Sequence, residues 1–225
     1  MATVNLQKVK NELVVFLRNS DIFTTTQRGV TTQTDTFTAT AGQTIFTLTK
    51  NVARNIRSVT VQSVSKSAYV DYTPSYSATS TTVTLNTGAT LSDSVVIVYD
   101  YSAGTLEKIW DDYPEIKFLV NDAPRIGFDF LGFRSKVMGI GNSNWLNDAV
   151  ITIKVYDKNL KNIDGYLTTI RSVIKSSQVS FYHFQLVYPT SIGPPMLHNI
   201  QSDTKLAGKI FEKSMDLFLR FNFES

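Results

Sequence analysis

The residue types that most often carry chemistry are few in this chain, and they do not form recognisable motifs. The 225 residues include no cysteine, which excludes a disulfide, a thiolate zinc site and a cysteine nucleophile. The two histidines are His183 and His198. Neither stands at a motif spacing from a carboxylate or a serine, and there is no G-x-S-x-G nucleophile elbow. A Ser-His-Asp triad remains an alternative at the level of sequence, because its members come together only in the folded chain.

Three short polar stretches could bind an ion or serve acid–base catalysis. Asp111 and Asp112 are adjacent carboxylates, a pair that more often forms a solvated turn. "GIGNSN" at 139–144 resembles part of a phosphate-binding loop but lacks the Lys-Ser/Thr pair of a P-loop. "NSNWLND" offers oxygen ligands for Ca²⁺ but lacks the EF-hand pattern and its closing glutamate. We therefore expect no catalytic residue, metal or cofactor, and we predict that the protein is not an enzyme.

The charge pattern argues against direct DNA binding. The formal net charge is +3 and no run of Lys or Arg occurs, whereas a nucleic-acid footprint normally clusters its positive charge. The N-terminal "MATVNLQKVK" lacks the apolar region of a secretory signal. The longest apolar runs, "ELVVFL" and "SVVIVY", fall well short of the ~20 residues of a membrane helix. We expect the protein not to associate with a membrane. We also expect it to assemble in a reducing cytoplasm.

Apolar spacing predicts two amphipathic helices, over residues 4–18 and 158–176. In the second, either Asp157 or Asn159 can cap the start, and Gly165 weakens the interior by about 1 kcal/mol relative to alanine. Its apolar positions recur every three or four residues: Leu160, Ile163, Leu167, Ile170 and Ile174. Alternation of apolar and polar residues predicts strands within 115–120, 125–131, 149–157, 180–189 and 214–224. In the fourth of these strands, Leu186 and Tyr188 fall on the apolar face and His183 on the opposite face, as a surface or structural histidine.

Between the first helix and these strands, the composition shifts to threonine and serine. From Thr24 to about Thr105, short β-like runs occur at 36–40, 43–48, 58–64, 67–72, 81–85 and 94–101. Turn signals at Gly42, Pro74 and Gly88 separate them. We interpret the fold class as α+β: a small, mostly antiparallel sheet packed with two helices, with an inserted all-β sandwich-like or barrel-like domain. The insert spans 29–104, and the discontinuous α+β domain spans 1–28 and 105–225.

Two segments carry large apolar residues in polar surroundings. The first, "KVMGIGNSNWLND" at 136–148, is predicted to be a loop. The second, at 189–208, is predicted to be an extended arm, because a structureless connection of this length is uncommon in a compact domain unless it has a function. Their apolar side chains either pack on their own domain or contact a neighbouring subunit. The candidate intersubunit contacts are Met138, Trp145, Ile192, Met196 and Leu197. Deletion of 190–205 is expected to impair assembly and leave the monomer folded.

The threonine-rich segment resembles a small β module of tailed-phage virion proteins. The matching stretches are "FTATAGQTIFTL" at 37–48, "VTVQSV" at 59–64, "DYT" at 71–73 and "LNTGATLSDSVVIVY" at 85–99. Together they cover about a third of the chain. Where the module usually has a V-N-G turn, this chain has "VQSVS", so we expect that hairpin to differ.

The remaining elements are similar in order to those of phage tail terminator and tail-completion proteins. This resemblance implies an α+β fold and a hexameric ring that caps the tail tube and joins it to the head connector. It also implies a virion location in the neck, a tail tube protein and head-connector proteins as partners, and no catalytic residue. DNA could pass through the lumen of such a ring without sequence-specific recognition. The inserted module would face outward.

Other functions stay open. Within the same class, the chain could be another head–tail connector or a baseplate subunit. A different class is a glycan-binding adhesion module, in which Tyr69, Tyr72 and Tyr76 would stack on sugars. An enzyme is the least supported interpretation.

Overall fold

The structure is a computed structural model that describes residues 6–50, 53–68, 70–76, 80–102, 108–110, 123–137, 144–177, 181, 186–200 and 208–224. It confirms the α+β class, since the described residues form three helices and sheets in which the strands pair antiparallel. The chain divides into two compact units. One consists of Met1–Ile22 with Lys108–Ser225, and the other of Phe23–Glu107. No helix in these described ranges is long and apolar enough to cross a membrane.

The described residues form fifteen helices and strands along the chain. In order they are α1 (Leu6–Asn19), α2 (Thr25–Arg28), β1 (Thr31–Thr38), β2 (Gln43–Thr47), β3 (Ala53–Val61), β4 (Val64–Lys66), β5 (Tyr72–Tyr76), β6 (Thr81–Ala89), β7 (Ser94–Tyr101), β8 (Arg125–Val137), β9 (Asn144–Asp157), α3 (Leu160–Ser176), β10 (Leu186–Ile192), β11 (Met196–Ile200) and β12 (Gly208–Glu224).

The Phe23–Glu107 unit is a β-sandwich. One sheet has the order β1-β7-β3-β4 and the other the order β2-β6-β5, with every pairing antiparallel. Inward-facing side chains of both sheets form one buried cluster, which includes Phe46, Val83, Ile56, Ile97 and Tyr99. Their outward-facing neighbours on β1 and β6 are mostly threonine. The alternation in the sequence therefore separates the core of this sandwich from its surface.

Helix α2 was not predicted, and it belongs to the sandwich unit. Thr24 caps this single turn in a capping box with Gln27. Arg28 then lies fully buried, and its guanidinium donates to the Asp100 carboxylate of β7 at 2.8 Å. Arg57 donates to the same carboxylate at 2.7 Å. The ion pair of Arg28 ties α2, and that of Arg57 ties β3, to β7 within the Phe23–Glu107 unit.

Two turns of the sandwich differ from their sequence interpretation. Pro74 was expected in a turn but pairs with Val83 inside β5, which is possible because β5 is an edge strand in its sheet. Between β3 and β4, Gln62 and Ser63 form a two-residue hairpin loop with φ values of 50° and 63°. Both φ values are positive, as a type I′ turn requires, although neither residue is glycine.

In the other unit, α3 packs on a four-strand sheet of order β10-β12-β9-β8, with β11 also paired to β12. The predicted helix over 158–176 is confirmed as α3, with Asn159 as its N-cap, and the predicted helix over 4–18 is confirmed as α1. Four side chains of α3 are buried: Ile163, Leu167, Ile170 and Ile174. They share the core with buried residues of β9 and β12, which include Ile151, Ile153, Leu217 and Leu219.

The structure corrects both predicted apolar segments. The two ends of the predicted loop at 136–148 are strand, because β8 continues to Val137 and β9 begins at Asn144, and residues 138–143 lie outside the described residues. The predicted arm at 189–208 is also wrong. β10 continues past Pro189 to Ile192, and β11 follows, both paired with β12. Several predicted features lie outside the described residues: Asp111, Asp112, the strand at 115–120, Met138, most of "GIGNSN", and His183.

Candidate interaction surface on the β10–β11 edge

Strands β10 and β11 run one after the other along the same side of β12. β10 pairs with the segment from Arg220 to Met215, and β11 pairs with Glu212 to Gly208. Between them, the Gly193 N–H donates to the Ser214 carbonyl at 2.8 Å and so continues the ladder. Among the described strands, β10 and β11 pair with β12 alone. They form one interrupted strand at the edge of the sheet.

This edge carries all the exposed large apolar side chains found in the described part of its unit. We call these five residues the edge surface: Leu186, Tyr188, Ile192, Met196 and Leu197. Their exposed fractions range from 36 % for Leu186 to 55 % for Met196. Isolated exposed apolar residues are ordinary, but a group along one strand edge is typical of an interaction site.

The edge surface presents apolar side chains on both faces of the sheet. Ile192 and Leu197 pair with Met215 and Phe211, on the face that α3 covers further along the sheet. Tyr188 lies on the opposite face, where its ring centroid is 5.1 Å from that of Phe218. A partner could therefore bury apolar area on either side of the strand pair.

Prolines make this edge a poor template for a further strand. Pro189 lies at a β-bulge, and Pro194 and Pro195 follow Gly193 with no N–H to donate. Bulges and prolines are common ways to prevent edge-to-edge aggregation of sheets. Contacts at this edge are therefore expected to depend mainly on side chains.

An ion pair borders the edge surface at the end of β12. Arg220 donates to the two carboxylate oxygens of Asp148 at 2.7 and 3.1 Å. These hydrogen bonds hold the pKa of Asp148 below its usual value. The Arg220 guanidinium also lies 5.6 Å from the centre of the Phe218 ring. The aromatic pair Tyr188–Phe218 is thus bordered by charges that neutralise each other.

His198 has a structural role in β11. Its Nε2 atom is 2.8 Å from Oε2 of Glu212, and the Lys154 ammonium lies 3.4 Å from the other oxygen of the same carboxylate. Glu212 is buried, and its carboxylate is satisfied by the Lys154 ammonium and by the contact with His198. The sequence interpretation placed His198 in an unpaired arm, and only the pairing of β11 with β12 brings it to Glu212. Within the described segments, no three His, Cys, Asp or Glu side chains are arranged to bind a metal.

The structure brings together three of the five predicted contact residues. Ile192, Met196 and Leu197 lie on the edge surface. Trp145 is not in a loop, since it pairs with Val137 and Phe223 within the central strand β9. Met138 is outside the described residues.

Sequence reasoning missed two members of the edge surface, Leu186 and Tyr188. Alternation placed them on the apolar face of their strand, but Val187 between them is the buried residue, with 0 % exposure. All three residues are apolar, so the pattern alone does not decide which face is buried.

No protein-family model matches this chain, and no curated protein matches it.

The structure removes one residue from the glycan-binding alternative. Tyr72 is only 4 % exposed and belongs to the core of the sandwich, so it cannot stack on a sugar. Tyr69 and the side chain of Tyr76 lie outside the described residues.

Proposed function

We propose that the protein is a structural virion protein of a tailed phage. In this proposal it forms a ring, hexameric in the related family, that ends the tail tube and joins it to the head connector. Its partners would be further copies of itself, the tail tube protein and the head-connector proteins. It would assemble in the host cytoplasm and perform no catalysis.

The observation that carries this proposal is the edge surface. A ring subunit binds its neighbours through two different surfaces, a heterologous contact that closes by rotation. Apolar side chains exposed along a strand edge, on a sheet that α3 braces from one face, are suited to such a contact. The resemblance of the sequence to tail-terminator proteins and to the virion β module adds the viral context.

Another connector or baseplate subunit would use the same kind of surface, and so remains the nearest alternative. The adhesion module is less well supported, because it loses Tyr72 as a stacking residue.

The proposal is tested by the molar mass in solution, measured by size-exclusion chromatography with light scattering. We expect an assembly of about six subunits for the wild-type chain. A triple variant with Ile192→Asp, Met196→Asp and Leu197→Asp should shift the protein to smaller species, because three charges would be buried in the contact. This variant replaces the deletion of 190–205, which would also remove β11 from β12.

The matched control substitutes equally exposed apolar residues of the sandwich unit: Ile45→Asp, Val64→Asp and Leu91→Asp. This control should leave the assembly unchanged. A wild-type protein that is monomeric at all accessible concentrations would contradict the ring proposal. An assembly that withstands the edge-surface variant would contradict the role of this surface.

A further inference from the structure

Helix α3 presents a row of basic side chains to solvent. We call Lys158, Lys161, Arg171 and Lys175 the basic face; all four are exposed, and Lys158 precedes the N-cap residue Asn159. At 100° per residue, Lys161, Arg171 and Lys175 form one row beside the buried stripe, at about 150°, 70° and 110° from its centre. None of the four forms an ion pair with another described residue. The acidic residue on the exposed side, Asp164, is bound by Lys213 at 2.6 Å.

Small polar residues cover the outermost side of the helix beside this row. They are Asn162, Gly165, Thr169 and Ser172. Within the row, Thr168 and the Asp164–Lys213 pair lie between Lys161 and Arg171, so an extended anionic chain could approach the helix closely. From Lys161 to Lys175 the helix spans about 21 Å. Over that length, duplex DNA carries about 12 phosphate charges.

The placement of these charges does not favour the helix itself. The first turn holds no acidic residue, and Lys158 and Lys161 lie at the positive end of the helix dipole. Arg171 and Lys175 are four residues apart, a spacing at which like charges repel on a helix. Only Lys175, in the last turn, complements the dipole. The charges of the basic face therefore contribute little to the stability of the helix.

We propose that the basic face of α3 binds the phosphate backbone of duplex DNA without reading its sequence. The charge is complementary, and Lys, Arg and small polar side chains are the residue types that contact phosphates. The apolar stripe of α3 is buried in its own unit, so the helix has no apolar face to insert into a lipid surface. Its single aromatic side chain, Tyr166, is half-buried, so the helix offers no fully exposed ring on which single-stranded bases could stack. The sequence interpretation looked for a run of charge and did not find this row, which exists only on the folded helix.

The test is the salt dependence of binding to a short, labelled duplex of mixed sequence, measured by fluorescence anisotropy on the full chain. The logarithm of the wild-type binding constant should fall linearly with the logarithm of the salt concentration. The variant with Lys161→Gln, Arg171→Gln and Lys175→Gln should bind more weakly to every duplex sequence. The slope of this dependence should become less steep by about 1 for each cation removed, or about 3 in total.

The control variant carries Lys66→Gln, Arg134→Gln and Lys209→Gln, which remove the same net charge elsewhere. It should keep a slope close to that of the wild type. The proposal is overturned if both triple variants change the slope equally, because the effect would then be general charge. It is also overturned if the wild type fails to bind at low salt. Binding to anionic phospholipid vesicles but not to duplex, when it depends on the basic face, would likewise overturn it in favour of a membrane surface.

This inference does not rest on ring formation. A monomer that binds duplex through α3 would support the basic face and contradict the ring. A ring that does not bind duplex DNA would support the ring proposal and contradict the role of the basic face.

Discussion

Replacing Asp35 with asparagine should destabilise the sandwich unit by about 2 kcal/mol. The Asp35 carboxylate, on β1 and 5 % exposed, accepts the Thr49 N–H at 2.7 Å, the Thr49 hydroxyl at 2.8 Å and the Tyr99 hydroxyl at 3.0 Å. A hydrogen bond to a charged group contributes about 1.5–3 kcal/mol, and one to a neutral group about 1 kcal/mol. Asparagine keeps the shape and removes the charge. A loss of about 0.5–1 kcal/mol for each of three bonds gives the expected total.

The same substitution should change the response of the unit to acid. Burial by itself would raise the pKa of Asp35, but the hydrogen bonds from Thr49, Tyr99 and Gln33 outweigh it and hold the pKa below 3.8. A carboxyl group with a lowered pKa contributes its full stability above the unfolded-state pKa. It loses that contribution as pH falls through the folded-state pKa. The difference in unfolding free energy between wild type and Asp35→Asn should therefore be constant near neutral pH and shrink below about pH 3.8.

Hydrogen exchange followed by mass spectrometry can isolate this effect. Both tryptophans, Trp110 and Trp145, belong to the other unit, so tryptophan fluorescence reports on that unit only. Peptides from β7 should exchange about 30-fold faster in Asp35→Asn, since 1.4 kcal/mol corresponds to a factor of ten. The fluorescence transition in urea should not move.

The control is Asp71→Asn, which removes the same charge from a carboxylate that accepts an exposed hydrogen bond from the Ser67 N–H at 2.8 Å. The control should accelerate exchange much less than Asp35→Asn. Equal effects of the two substitutions would refute the reasoning. A difference between wild type and Asp35→Asn that persists undiminished at pH 2 would refute the assigned role of the charge.

Two further predictions concern turns and glycines. Gly88→Ala should destabilise the sandwich by about 2 kcal/mol, because the added Cβ would lie 2.9 Å from the carbonyl oxygen of Gly42, a backbone atom that cannot rotate away. Its control, Gly165→Ala, has open space around the new methyl group and should stabilise α3 by about 1 kcal/mol, measured by the urea midpoint. Replacing Gln62 and Ser63 with Asn-Gly should raise the stability of the sandwich by about 1 kcal/mol, because this pair adopts both positive φ values readily. An unchanged or lower melting temperature would contradict the type I′ assignment.

Local patterns were sufficient for elements with a regular apolar stripe or with a continuous apolar run between turns. Helix α3 has apolar residues at every third or fourth position, so its length and buried stripe follow from the sequence. Strand β7 was predicted and found over Ser94–Tyr101, because a continuous apolar run bounded by turn residues has few other interpretations. The sandwich as a class followed from the regular spacing of such runs and turns.

The edge surface is a different case, because its residues have no single local interpretation. Prolines in 189–195 made this segment look like an arm, yet β12 is long enough to pair with β10 and β11 in succession. The helix α2 is a single turn that carries no periodicity, so only the contact of Arg28 with Asp100 shows where it belongs.

The sequence by itself determined the two long helices, the strand β7 and which apolar stripe of α3 is buried, since these depend on the chemistry of near neighbours. Only the tertiary structure decided that Val187 is buried and Leu186 exposed, because α3 covers one face of β10 and the alternation there is apolar on both sides. The contact of Asp35 with Tyr99 likewise joins residues 64 positions apart. Such pairs depend on how strands align in the sheet, and that alignment is set by the packing of the whole unit.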